Sequence, residues 1–146
     1  MRRSFLANLF AVPLALAAST FMPTLAAAQD ASKPTRVVVQ VSEADPARWT
    51  LALNNVKNLQ EDLGADKVTI EIVAYGPGIG MLKFDSAVNS RISEAIKSGV
   101  AVQACENTMR NQKLVRADMH PSVTYVPAGV VQIIKRQQEG WAYLRP

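Results

Sequence analysis

Apolar and polar residues follow two rhythms along this chain. The run Arg36-Val37-Val38-Val39-Gln40-Val41 is short and β-branched, which predicts a buried strand over 35–41. Asp45 then offers an N-cap with Pro46 at the first helical position. Trp49, Ala52, Leu53, Val56, Leu59 and Leu63 recur at helical spacing until Gly64, so the rhythm changes from a strand to an amphipathic helix. Lys67 to Tyr75 alternates and then becomes continuously apolar, as a strand entering a buried sheet does. Gly76-Pro77-Gly78-Ile79-Gly80 breaks it. A second helical stripe is predicted from Phe84, Ala87, Val88, Ile92, Ala95 and Ile96, closed by Gly99.

The third strand is predicted over Val100 to Ala104, with Cys105 following directly and a short helix from Glu106 to about Leu114. Met119-His120-Pro121 reads as loop, Val123 to Val126 as a fourth strand ended by Pro127, and Val130, Val131, Ile133 and Ile134 as the apolar face of a last helix before Gly140. Trp141 to Leu144 closes the pattern as a small terminal strand. Strands alternating with helices imply right-handed β-α-β crossovers: a three-layer α/β/α fold on a mostly parallel sheet of about five strands. In such sheets reacting groups gather at the carboxyl ends of the strands, where both the glycine loop and Cys105 fall.

The first residues read as an address. Arg2 and Arg3 precede an apolar stretch from Phe5 to Leu25 that ends in Ala26-Ala27-Ala28, a small-residue cleavage site before Gln29. Pro13, Ser19, Thr20 and Pro23 interrupt the stretch, which argues against a stable membrane anchor. The expectation is a cleaved signal peptide over 1–28, an exported or periplasmic destination with the twin-arginine route as one option, and a single domain over 29–146. Without the leader, 14 basic residues face 12 acidic ones, and their dispersal gives no footprint for nucleic acid.

Cysteine and histidine occur once each, as Cys105 and His120, which argues strongly against a Cys/His zinc site, and Cys105 has no partner within the chain for a disulfide. No metal and no cofactor are expected. An unpaired thiol in an oxidising setting is buried, modified or reactive. At the start of a helix Cys105 would be favoured as thiolate, with Asn107 and Thr108 supplying local hydrogen bonds; the plain reading is a packed apolar cysteine. Gly76, Gly78 and Gly80 lack both the dinucleotide spacing and the Walker ending, so the loop reads first as a tight connection that walls the Cys105 pocket. His120 reads as a loop residue before proline rather than the base of a cysteine hydrolase, and no nucleophile elbow appears. Trp49, Met81, Met109 and Trp141 read as core or subunit contacts.

The segment Ala104-Cys105-Glu106-Asn107-Thr108-Met109 after Gly99-Val100, with Tyr75-Gly76-Pro77-Gly78 and the closing helix and strand, resembles the DsrE/DsrF-like family over the whole chain after the leader. The resemblance implies the same α/β/α fold, frequent assembly into homotrimers or homohexamers, and a sulfur carrier that uses a persulfide on the position matching Cys105, with a donor or acceptor protein as partner. Classical sulfur-relay members work in the cytoplasm, whereas this chain reads as exported. Two functions therefore stand side by side: a periplasmic persulfide-handling protein, and a non-catalytic oligomeric binding module with a structural cysteine.

Overall fold

The computed structural model describes residues 33–146; the expected leader and its cleavage point lie outside them. Five strands and four helices alternate in the order β1 (Thr35–Val41), α1 (Pro46–Leu63), β2 (Val68–Ala74), α2 (Asn89–Lys97), β3 (Ala101–Cys105), α3 (Glu106–Asn111), β4 (Thr124–Val126), α4 (Gly129–Gln138) and β5 (Ala142–Leu144). A 3₁₀ turn, Gly76–Leu82, follows β2, and another, Arg116–Asp118, precedes β4. The strands form one sheet in the order β4-β3-β2-β1-β5, with every pair parallel.

That order divides the sheet's two faces. From β1 to β4 each strand is added beside the last, and right-handed crossovers place the connecting helices on one face. The step from β4 to β5 returns across the whole sheet, so α4 covers the other. On the first face Val37, Val39, Val41, Ile70, Ile72, Ala74, Val102 and Ala104 meet Trp49, Ala52, Leu53, Val56, Ile92 and Ala95 in one apolar core. The second face is smaller: Val38, Val73, Val126 and Ile133 with Tyr75 and Trp141 beside them. Period-two alternation along each strand feeds both.

The first helix starts where the chain sets it. Asp45 Oδ1 accepts the Ala47 N–H at 2.9 Å, satisfying a donor that the helix leaves open, with Pro46 in the first turn. Trp49 is core, as are Met81 and Met109, and the Trp49 indole N–H donates to the Glu43 carbonyl at 2.7 Å.

Two expectations are corrected. The second helix begins at Asn89 rather than Phe84, and Phe84 is 66% exposed, with Ala87 exposed as well. Residues 84–88 satisfy their backbone in turns, Ser86 N–H on Lys83 and Asn89 N–H on Ser86, while the Phe84 N–H is drawn to Asp118. On α4, Val130, Val131 and Ile134 are half exposed or more; Ile133 is buried. The inner side of that helix is polar because it meets Glu71, a carboxylate 2% exposed in the middle of β2. Gln132 donates to Glu71 Oε1 at 2.7 Å and the Arg136 guanidinium to Oε2 at 2.9 Å. Arg136 also lies 4.7 Å from the Trp141 ring centroid. No helix among the described residues is long and apolar enough to cross a membrane.

Candidate functional site

Cys105 closes β3, pairs with Val126 of β4 and is the residue from which α3 departs. Its register places it on the second face, with Gln103 two residues before it. The thiol is 4% exposed, which for a packed cysteine would be unremarked. Its neighbours are what set it apart. The Gly129 N–H, first in α4, donates to Sγ at 3.2 Å, and Asn107 and Thr108 stand in the first turn of α3, which departs from the same residue.

Thr108 links this cradle to the glycine turn. Its Oγ1 accepts the Gly76 N–H at 2.9 Å. Burial pushes the thiol up, and the Thr108 hydroxyl, then the Gly129, Thr108 and Asn107 N–H groups, more than offset it, so Cys105 lies below the ordinary cysteine value. Chemically, the arrangement favours the thiolate more than an ordinary cysteine's surroundings do.

The structure brings Gly76, Asn107 and Thr108 to Cys105 and sends Gly78 and Gly80 elsewhere. A Cβ on Gly78 would stand 2.4 Å from the Val41 carbonyl oxygen, so glycine there lets the turn lie against the end of β1. Gly80 faces the Trp49 ring, where a Cβ would stand 3.3 Å from it. The Asn107 side chain is held by Arg110, and its N–H also donates to the Pro127 carbonyl at 3.1 Å. Arg110 is committed to that contact, and Glu106 pairs with Arg116, which stacks on the Tyr125 ring 4.4 Å from its centroid.

Two residues that bear on the site were passed over in the sequence. Gly129 is one: a Cβ there would meet Tyr75 Cβ at 3.0 Å, Tyr75 Cδ1 at 3.2 Å and Cys105 Cβ at 3.3 Å. Only glycine brings the α4 backbone close enough to donate to the sulfur without displacing Tyr75. Tyr75 is the other, flanking the cradle on the side of β1 and β5. Burial, with Tyr143 nearby, holds its hydroxyl above the ordinary tyrosine value. Beyond it a polar chain runs along the carboxyl edge: Tyr143 O–H to Gln40 at 2.7 Å, Gln40 to Ser42 at 3.1 Å, Ser42 to Glu43 at 3.2 Å, and from the other side Arg145 to Glu43.

His120 is absent from the cradle. Its ring is 3% exposed and set between Ser93 of α2 and the Ser122 backbone. Among the described residues no three His, Cys, Asp or Glu side chains gather as a metal centre. A groove between α1 and α2, floored by Leu53, Val56 and Ala95, does not include Cys105.

No family model matches the chain, and comparison with curated proteins gives no match. Solved structures do match. MTH1491 from Methanobacterium thermoautotrophicum, a protein of unknown function, is 42% identical, with 77% of this chain and 99% of that one covered and a TM-score of 0.73. BT1422 from Bacteroides thetaiotaomicron, also of unknown function, is 14% identical over 76% of this chain and 94% of its own, with a TM-score of 0.63. The ychN protein from E. coli is 7% identical over 78% and 99%, with a TM-score of 0.60. The last two share the fold. The identity to MTH1491 over nearly all of its length shows that this chain belongs to the MTH1491 family, on a YchN/DsrE-like α/β fold.

Proposed function

We propose that this protein is a sulfur carrier of the DsrE/DsrF kind, exported to the periplasm, that takes sulfane sulfur onto Cys105 as a persulfide and passes it to an acceptor. The observation that carries the reading is the Gly129 N–H donated to Sγ at 3.2 Å, with Thr108, itself bonded to Gly76, beside a thiol that lies below the ordinary cysteine value. A thiolate is the nucleophile in sulfur exchange, and a stabilised thiolate is also the better leaving group when sulfur is handed on. Loading breaks the donor's sulfur–sulfur bond: Cys105–S⁻ attacks the outer sulfur of R–S–SH, giving Cys105–S–SH and R–S⁻. Release is the same exchange with an acceptor thiolate attacking the outer sulfur. Self-association into trimers or hexamers and a donor or acceptor protein belong to this reading.

One observation favours the second reading, a binding module with a structural cysteine: the thiol is 4% exposed. Intact mass after brief exposure to polysulfide or thiosulfate separates the two. On the carrier reading the wild type gains whole sulfur atoms that reductant removes, and Cys105→Ser gains none. If neither gains sulfur and the folded protein resists alkylation, the thiol is structural.

A further inference from the structure

His120 lies outside the Cys105 cradle and yet is tied to both of its arms. Nδ1 accepts the Ser122 N–H at 3.1 Å, so the ring's proton is on Nε2, which donates to Ser93 Oγ at 2.8 Å; the Ser93 hydroxyl lies 3.3 Å from the Asn89 carbonyl. The backbone at this point stitches two segments together. His120 N–H donates to the Leu82 carbonyl at 2.8 Å, Phe84 N–H to Asp118 at 2.9 Å, and Lys83 and Met119 form an antiparallel bridge.

Each segment runs on to Cys105. One is the 3₁₀ turn, which ends at Leu82 and begins at Gly76, whose N–H fixes Thr108. The other leads through β4 to Pro127, whose carbonyl holds the Asn107 N–H, and to Gly129, whose N–H meets the sulfur. The histidine thus sits at the junction of the two strips of chain that reach the thiol's surroundings, one through Gly129 N–H on the sulfur and one through Gly76 on Thr108.

We infer that His120 is an acid-sensitive latch on the cradle of Cys105. A proton on Nδ1 would point at the Ser122 N–H, donor against donor, and break that bond. The charged ring would have no counter-ion. From α2 it meets the Ser93 hydroxyl, while Arg91 and Glu94 of that helix line the groove toward α1. Before β4, Asp118 is taken by the Val115 N–H and Arg116 by Glu106 and Tyr125. Lys83 and Asp85 are the charges on the turn that flanks it. Among the described residues no carboxylate lies within ion-pair distance of the ring. A protonated His120 is relieved by leaving its niche, which unstitches the segment before β4 from the end of the 3₁₀ turn and slackens both arms. The latch rests on the reading of Cys105 as the reacting group only for what it regulates.

The test is an acid titration of the isotopically labelled protein by NMR, from neutral pH to the onset of unfolding. It follows the His120 ring and the exchange of the Ser122, Gly76 and Gly129 amides. The latch requires the ring to titrate before unfolding and the Ser122 amide to lose roughly tenfold in protection at the same midpoint, about one hydrogen bond's worth. The Gly76 and Gly129 amide shifts then follow that midpoint, and in His120→Asn, whose Oδ1 replaces Nδ1 and does not titrate, they stay still. A ring neutral until global unfolding, or one that titrates while these three amides do not move, overturns the latch. The wild-type titration decides this even if His120→Asn fails to fold. No sulfur donor is used, so failure here and failure of the carrier reading are read from separate experiments.

Discussion

The two faces of the sheet are built from the same strands and held by different physics. The first is an apolar layer in which β1, β2 and β3 pack against α1 and α2, with Ile70, Ile72 and Val39 almost fully buried. The second has one helix over it, anchored by a buried carboxylate as much as by hydrocarbon. Apolar burial is non-directional and scales with area, so the first face gives stability. A buried ion pair contributes little net stability against an apolar substitute but fixes geometry, because its partners must meet at one place. The difference teaches where the chemistry is held: Cys105 belongs to the second face, and its Gly129 donor comes from the helix that Glu71 positions.

The largest effect should come from the first face. Ile72→Ala is expected to cost about 4 kcal/mol, read as a lowered midpoint in urea, because its neighbours close only part of the space left. The donors on Cys105 should remain, with the thiol titrating as in the wild type while the protein is folded. If Ile72→Ala moves the thiol's titration, the faces are not independent.

On the second face, Glu71→Ala should cost about 2 kcal/mol. That is less than the full penalty of a broken buried pair, since Arg136 keeps Glu139 and the Trp141 ring. Here the thiol should change, because α4 loses its anchor. Glu71→Leu with Arg136→Met should recover the stability to within about 1 kcal/mol. A double variant that is stable and still shows an altered thiol would separate positioning from stability; an unaltered thiol in Glu71→Ala would break the link.

Thr108→Val comes next, at about 1 kcal/mol for the unpaired Gly76 N–H, with the Cys105 titration shifted upward in a pH profile of alkylation. The sign on stability follows from the depressed thiol. Between the folded and unfolded thiol values the unfolded chain binds more protons, so stability rises with pH. The contribution is complete above the unfolded value of about 8.5 and lost as pH falls through the folded one. Urea midpoints of wild type minus Cys105→Ser should therefore increase from neutral to alkaline pH, and the increase should shrink in Thr108→Val.

The smallest effect is expected on the outside of α4. Val131→Ser, at a position 58% exposed, should change stability by less than about 0.5 kcal/mol in the isolated chain. A larger loss that depends on protein concentration would mean that copies of the chain meet there.

Much of this was legible in the sequence, and particular residues show why the rest was not. The strand 35–41 and the Asp45-Pro46 start of α1 are local signals, a β-branched run and a cap, and both appear as read. Cys105 at the junction of β3 and α3 is likewise a matter of neighbours in sequence. Phe84, Ala87 and Val88 carry helical spacing but form turns, because Asp118, more than thirty residues on, binds the Phe84 N–H. The apolar face read on α4 faces outward for a similar reason: its direction was decided by Glu71, a charge in the middle of an otherwise apolar strand, and that oddity was the available signal. Gly129 offered none. Its meaning depends on Tyr75 and Cys105 arriving beside it from two other strands.

The return of the chain from β4 across the sheet to β5 sets a timetable for synthesis. The strands β1 to β4 and their helices are adjacent in sequence and can assemble as they emerge, whereas β5 pairs with Val37–Val39 about a hundred residues earlier. During that interval Glu71 lacks its arginine, and the sulfur of Cys105 lacks the Gly129 N–H. The thiol therefore acquires its Gly129 donor only when the last helix docks, so a nascent or truncated chain lacks a contact that helps hold the finished cysteine below its ordinary value.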